Sequence, residues 1–331
     1  MKQKIRWGIL STSKIAVTKV IPAIQNSPYS LVTAIASRDP QKARTVAEKL
    51  HIDKYYGSYD ELLKDPEIDA IYNPLPNSMH VPWTIKAMEA GKHVLCEKPI
   101  GINANEVGLL ETISQKYSQL KVMEAFMYRF HPQWQKAYAL VKSGAIGKVK
   151  TIQSFFSYFN IDPDNIRNKT DVHGGSLMDI GCYCISFARF IYHEEPIAVT
   201  GTMDIDPQLG IDRNTSAILK FLNGKTATFT CSTQMMPFQQ VNILGDSGQI
   251  RLEIPVNTRP TETTKIELIS KECKEEILFD PVDQYTLQAD AFCKSILYDI
   301  PVPTPLKDAV GNMKVIDSII RSSLENQMIN I

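Results

Sequence analysis

Over the first 125 residues, short apolar runs alternate with stretches whose apolar residues recur three and four positions apart. Residues 5–10 (IRWGIL) read as a β-strand, and residues 14–25 carry apolar side chains at helical spacing. A second apolar run covers 31–37. Asp39-Pro40 then opens a helix, with aspartate in the N-cap place and proline at the first helical position. Further strands are predicted at 70–73, 93–96 and 121–124, separated by helices near 58–64, 79–90 and 105–116. Alternation of this kind predicts βαβ units and a parallel sheet covered on both faces.

The second half has a different rhythm. A helix is predicted at 132–142, then a break at Gly144 and Gly147, a long strand at 148–158 and a helix at 176–192. Strand-like runs follow at 198–204, 215–222, 226–233, 239–245 and 249–254, and helices near 285–297 and 306–322 close the chain. Asn223-Gly224 between two of these strands signals a hairpin, because both residues tolerate positive φ. Strands joined by hairpins predict an α+β domain with a large, mostly antiparallel sheet and helices on one face. No internal repeat or flexible linker interrupts the pattern. The expected division is a nucleotide-binding domain over 1–125 and a substrate-binding and oligomerisation domain over 126–331, joined near 124–131.

Composition narrows the class of partner. Lysine plus arginine equals aspartate plus glutamate at 36 each, so nothing electrostatic points to nucleic acid or an anionic membrane. No run of 18 apolar residues predicts a membrane span, and the start MKQKIRWGILS lacks the apolar core of a signal peptide. Six cysteines (Cys96, Cys182, Cys184, Cys231, Cys273 and Cys293) scattered through 331 residues read as reduced thiols in a cytoplasmic protein. A sheet face without helices over it would expose apolar surface, which predicts a homodimer or larger assembly through the second domain.

The first strand runs into Gly8-Ile9-Leu10-Ser11-Thr12-Ser13-Lys14-Ile15-Ala16. A dinucleotide-binding, Rossmann-type domain needs a tight turn here, so that a helix N-terminus can approach the pyrophosphate. Ser11, Ser13 and Ala16 stand where the glycines of G-x-G-x-x-G/A would be. By itself the segment also reads as a Ser/Thr cap before an ordinary helix. Ser37-Arg38 ends the second strand, and an arginine there can pair with a ribose 2′-phosphate through its planar fork. NADP is therefore expected ahead of NAD.

Another apolar strand ends in Glu97-Lys98-Pro99, which places a lysine at the carboxyl end of a parallel strand, where such sheets bind ligands. A surface Lys-Pro at a strand end fits that pattern too. Three further segments appear in order: Pro74-Leu75-Pro76-Asn77-Ser78-Met79-His80, the run from Met123 to Pro132 (MEAFMYRFHP), and the run from Gly174 to Cys184 (GGSLMDIGCYC). With these four segments the chain resembles the glucose–fructose oxidoreductase / inositol dehydrogenase (Gfo/Idh/MocA) family across nearly its whole length. Tyr183, four residues beyond Asp179, replaces the histidine of many members. It resembles the branch with dimeric dihydrodiol dehydrogenases and NADP-dependent xylose dehydrogenases.

The resemblance implies hydride transfer between a sugar, polyol or related cyclic alcohol and the nicotinamide, of the aldose-to-lactone type. It implies Lys98 as the central proton-handling residue, Tyr183 as its partner and Asp179 as a group that orients a substrate hydroxyl or tunes Lys98. On a regular helix Asp179 and Tyr183 would share a face. Cofactor contacts are expected from Gly8, Ser11, Thr12, Ser13, Lys14, Ile15, Ser37, Arg38, Pro74, Leu75, Asn77, His80, Glu97 and Lys98. Substrate contacts are expected from Lys98, Arg129, Asp179 and Tyr183. Residue by residue, plainer readings stand beside these: a helix-surface carboxylate for Asp179, a locally satisfied histidine for His80, a salt bridge with Glu124 for Arg129, and a core tryptophan for Trp83. Cys182 and Cys184 lack a second pair for a zinc site, and the stretch 162–171 lacks calcium-loop spacing, so no metal is expected. Two other functions remain on the table: a trans-dihydrodiol dehydrogenase or sugar-ketone reductase using the same groups, and a non-catalytic nucleotide or sugar sensor.

Overall fold

The structure, a computed structural model, describes residues 4–271 and 274–331; Cys273 and the first three residues of the N-terminal segment considered above lie outside the described residues. The chain forms two compact units. One takes the chain up to Met127 together with Asp283–Val310, and the other takes Tyr128–Val282 with Gly311–Ile331.

In the first unit, strands β1 (Ile5–Leu10), β2 (Ser30–Ala36), β3 (Lys54–Tyr56), β4 (Ala70–Asn73), β5 (His93–Cys96) and β6 (Val122–Glu124) form a parallel sheet in the order β3-β2-β1-β4-β5-β6. β4 and β6 are buried along their whole length and β1 almost so. That burial is why they read as continuous apolar runs and not as alternating ones. β3 was not foreseen: it is three residues long, and Lys54 and Tyr56 turn their polar ends to Asp65. The helix after β1 opens at Lys14, passes through a π-helical stretch at Ala16–Val20 and continues as α1 (Ile21–Gln25). α2 (Pro40–Leu50) starts as expected, the Asp39 carboxylate accepting from the amides of Gln41 and Lys42 at 3.0 and 3.2 Å. α3 (Tyr59–Leu63), α4 (Asn77–Glu89) and α5 (Ala104–Ser114) complete the alternation. The helix Gln284–Leu297, remote in sequence, packs in this same unit. Phe292 lies against fully buried Trp7, whose indole N–H reaches Ser30 Oγ at 3.2 Å.

The second unit starts from α6 (Pro132–Lys142) and β7 (Val149–Phe159). A π-helical turn at Leu177–Gly181 leads into α7 (Cys182–Tyr192). Then come β8 (Ala198–Ile205), β9 (Asp212–Lys220), β10 (Thr226–Ser232), β11 (Gln234–Gly245), β12 (Gly248–Leu252), β13 (Thr264–Ser270), β14 (Lys274–Phe279) and β15 (Ile329–Asn330). The sheet order is β14-β13-β12-β11-β7-β10-β9-β8-β15, and every described pair is antiparallel except β7 with β10. Asn223 and Gly224 turn the β9–β10 hairpin at φ 58° and 74°, the positive values expected of them. The expected strand over 249–254 stops at Leu252, and β13, β14 and β15 were missed. β13 does alternate, but β14 opens on three charged residues, which hides its half-buried face.

Tyr128, Trp134 and Phe187 form a buried aromatic knot in this unit, with ring centroids 4.7–4.9 Å apart. Elsewhere on the sheet Ile218 and Phe238 are about half exposed, 52% and 51%, and with Phe155 they border a groove of about 570 Å³. Among the described residues no helix is long and apolar enough to cross a membrane.

Candidate active site

In the first sheet the strand order reverses between β1 and β4, so the loops leaving the carboxyl ends of those strands flank a topological switch point. Ser11 follows β1 with φ 90°, the left-handed backbone for which glycine is the usual residue. Its amide donates to Ala36 O at 2.9 Å, which ties the turn to β2. Ser13 Oγ accepts from Ala16 N at 3.4 Å, so the segment is both a tight turn and a helix cap. Thr12 and Ile15 are half-buried and Lys14 exposed, and the first turn of the π-helical stretch carries no acidic residue. Such a turn fits an anionic dinucleotide. Gly8 lies elsewhere than in the turn: it sits inside β1, where a Cβ would come 2.7 Å from Leu62 Cδ2, so packing accounts for this glycine.

At the end of β2, Ser37 is buried and its Oγ accepts from Asp39 N at 3.1 Å. Arg38 is exposed, and no described residue bonds or pairs with its guanidinium. A cation left open at this corner suits a phosphate.

The loop after β4 is organised by a residue the sequence reading passed over. Asn73 is fully buried; its Oδ1 accepts from Leu75 N at 3.3 Å and its Nδ2 donates to His80 O at 3.0 Å. An asparagine closing an apolar strand just before a Pro-rich loop was the available signal. Pro74 and Leu75 are buried, and Asn77 opens α4. His80 lies inside that helix, buried, with Nδ1 donating to Pro99 O at 2.7 Å. Burial, with a smaller push from the charge of Lys98, lowers its pKa to about 4, so the ring is neutral near pH 7.

That bond links the two loops, because Pro99 belongs to the segment after β5. The Lys98–Pro99 peptide is cis, and Lys98 is half-buried. Glu97 accepts from Tyr72 Oη at 2.7 Å through Oε1, and its amide donates to Asn73 O at 3.0 Å. Ile100 N donates to Glu124 Oε1 at 2.8 Å, which holds the chain beyond Pro99. Ser11 to Ile15, Ser37 to Arg38, Pro74 to Asn77 and Glu97 to Lys98 thus all follow carboxyl ends of strands in one sheet. Trp83 is half-buried and packs edge-on to Tyr59, with Lys86 over its ring.

The second unit holds the other candidates. Asp179 lies in the π-helical turn and Tyr183 in α7, so the regular α-helical spacing expected between them does not apply. Asp179 is buried, and its Oδ2 accepts from Tyr158 Oη at 2.6 Å and Arg167 Nε at 3.0 Å. Burial, then the Asp179 charge, pushes the Tyr158 phenol far above its usual range, so it stays a donor. Neither Tyr158 nor Arg167 carried a sequence signal, because each reaches Asp179 only through the fold. Tyr183 is buried among Tyr128, Phe156 and Phe187. Arg129 is buried too, donating to Ser186 Oγ at 2.7 Å and Tyr128 Oη at 3.3 Å. Asp212 fastens the start of this helical segment: its Oδ2 accepts from Ser176 Oγ (2.6 Å), Leu177 N (2.7 Å) and Thr215 Oγ1 (2.8 Å).

Known proteins share this fold. Residues 5–125 match the model of an oxidoreductase family with an NAD-binding Rossmann fold, and residues 134–251 match the GFO/IDH/MocA C-terminal domain. A D-xylose 1-dehydrogenase (NADP(+)) of Haloferax volcanii is 36% identical over 318 residues, 96% of this chain and 97% of its own. A trans-1,2-dihydrobenzene-1,2-diol dehydrogenase of Xenopus tropicalis is 36% identical over 254 residues, 75% of this chain and 74% of its own. A 3-ketoreductase from Actinomadura kijaniata, crystallised with NADP and TDP-benzene, superimposes with a TM-score of 0.91 at 26% identity, over 97% of this chain and 98% of that one. With both halves matched in order, and Lys98 at the end of a Rossmann strand, the chain belongs to the GFO/IDH/MocA oxidoreductase family.

Proposed function

We propose that this chain transfers hydride between NADP(H) and a sugar, polyol or related cyclic alcohol, in the aldose-to-lactone sense. The observation that carries the reading is Lys98, which leaves β5 at the carboxyl edge of the sheet, next to the switch-point loops. The relative named as a D-xylose 1-dehydrogenase (NADP(+)) supports the substrate class and the cofactor. When bound, the nicotinamide supplies the hydride acceptor or donor.

The residues then divide the work. In the oxidising direction, Lys98 takes the hydroxyl proton as the carbinol carbon gives up hydride, and a carbonyl results. In the reverse direction its ammonium donates that proton to the carbonyl oxygen. Tyr183 belongs to the same proton-handling pair. Asp179, already a hydrogen-bond acceptor, orients a substrate hydroxyl, with Arg129 as a further substrate contact. Arg38 receives the 2′-phosphate. Ser11, Thr12, Ser13, Lys14 and Ile15 line the pyrophosphate turn, and Pro74, Leu75, Asn77, His80 and Glu97 border the nicotinamide side.

The test is NADPH titration by fluorescence beside turnover of a panel of aldoses, inositols and dihydrodiols, for the native protein and Lys98→Ala. Retained NADPH binding with turnover reduced by about two orders of magnitude or more is the expected result. Loss of nucleotide binding in both proteins would refute the cofactor assignment. The likeness to the diol dehydrogenase and the 3-ketoreductase favours a second reading, a dihydrodiol or keto-sugar substrate, and the same panel separates the two.

The reading extends to assembly and location. Phe155, Ile218 and Phe238 form an apolar strip among threonine, serine and glutamine side chains on the second sheet, a mixed face suited to a second copy of the chain, so a homodimer is expected, and sedimentation showing only monomer at micromolar concentration would refute it. The described cysteines are free and buried, in keeping with a reducing cytoplasm.

A further inference from the structure

We propose that Arg167 is a positioning residue for the reaction, acting through Asp179. The proposal rests on Asp179 being a substrate-binding group. Asp179 Oδ2 is the meeting point of two donors from different parts of the second unit, Tyr158 Oη from β7 at 2.6 Å and Arg167 Nε from the following segment at 3.0 Å. Rotating the carboxylate about its last bond would break both. The two donors therefore fix the plane of the carboxylate and the direction of its other oxygen. Burial keeps the Tyr158 phenol protonated, which makes it a permanent donor to this oxygen.

The segment that delivers Arg167 is built to hold its backbone still. Arg167 N donates to Asn165 Oδ1 at 3.1 Å, and Arg167 O accepts from Gly175 N at 2.8 Å. A Cβ at Gly174 would run into Arg167 O, so only glycine lets the chain pass so close. Asn168 is buried, and its Nδ2 donates to Asn160 Oδ1 at 3.1 Å and Asp162 O at 2.8 Å, which staples the segment to itself. An exposed ion pair would be worth little. Here the carboxylate side chain is only 11% exposed while the arginine side chain is 42% exposed, so the pair is a half-exposed cation on a largely buried carboxylate, not two solvated charges. A carboxylate fixed in this way meets a substrate hydroxyl without first having to order itself, which is the purpose of preorganised positioning.

The experiment is a double-mutant cycle on the full-length protein. Arg167→Gln, Asp179→Ala and the double variant are assayed with NADP+ and whichever alcohol of the aldose, inositol and dihydrodiol panel is turned over fastest. Arg167→Gln is expected to lower kcat/KM about 10- to 100-fold, the worth of a charge-assisted hydrogen bond, with NADPH affinity unchanged. In the Asp179→Ala background, where no acceptor is left for Arg167, the same substitution should cost less than about threefold, because its effect runs through the carboxylate. An equal loss in both backgrounds would overturn the proposal, as would normal kinetics for Arg167→Gln beside a damaged Asp179→Ala. Normal kinetics for Asp179→Ala would instead sink the substrate-binding role of Asp179, and this proposal with it. If thermal melting shows Arg167→Gln to be unfolded, Tyr158→Phe takes its place in the cycle; the same coupling is expected, and equal losses in the two backgrounds would again overturn it.

Discussion

Asp212 offers a quantitative test of how the second unit holds Asp179 and Tyr183. Three donors converge on one oxygen of this buried carboxylate, while a Cβ at Gly175 would run into the other. In Asp212→Ala, the Leu177 N–H is fixed in the first helical turn and loses its partner, which costs about 1–3 kcal/mol. The hydroxyls of Ser176 and Thr215 can rotate toward other acceptors, so each adds about 0.5–1 kcal/mol. The expected sum is about 2–5 kcal/mol. In Asp212→Asn the amide oxygen can occupy the Oδ2 place and keep all three bonds, so the expected cost is about 1 kcal/mol or less.

Burial outweighs those bonds in setting the Asp212 pKa, which is raised. The folded protein therefore holds this proton more firmly than the unfolded chain does. Its contribution is fully present below the ordinary value of 3.8 and is lost as pH rises through the folded value. Asp212→Asn should remove that leg of the pH profile. Urea unfolding together with amide exchange at Leu177 reads the effect: a 3 kcal/mol loss corresponds to exchange on the order of 100-fold faster in the alanine variant. If asparagine were as damaging as alanine, or if Leu177 exchange stayed unchanged in the alanine variant, the acceptor geometry would not be what docks this helix.

Two other outcomes concern the exposed Arg38 and two buried histidines, one in each unit. Arg38→Ala should lower the ratio of NADP to NAD efficiency about tenfold or more, measured as kcat/KM with each cofactor, and an unchanged ratio would clear Arg38 of phosphate recognition. His80 and His131 are each lowered by burial to about 4, whereas the unfolded chain takes up these protons near 6.5, so stability should fall as pH drops from about 6.5 toward 4. For His80 the leg is worth about 3 kcal/mol. His80→Asn should remove that leg of about 3 kcal/mol from the loss of stability between pH 6.5 and pH 4, and an unaltered slope would refute the assignment.

The parallel unit was legible in the chain because a strand buried on both faces leaves a continuous apolar run, as β4 and β6 do, and because caps such as Asp39-Pro40 act through neighbouring residues. The Glu97-Lys98-Pro99 segment was legible for the same reason: its meaning depends on standing just after such a strand. The Asn223-Gly224 hairpin needed only the tolerance of two adjacent residues for positive φ. What local pattern cannot carry is a partner distant in sequence. Arg167 and Tyr158 on Asp179, Asp212 under Leu177, and Phe292 against Trp7 are all contacts between residues that only the folded chain brings within reach. The π-helical turn at Leu177–Gly181 belongs with them, because the sequence alone predicts an ordinary helix there, and the turn is set by what packs and bonds around it. The sequence by itself determined the alternating elements of the parallel unit, apart from β3, and the hairpin of the second, and it named candidates for the chemistry; the tertiary structure decided the remaining strands and how the candidate side chains are held, by whom and in what orientation, because that depends on long-range hydrogen bonds and burial that no local periodicity encodes.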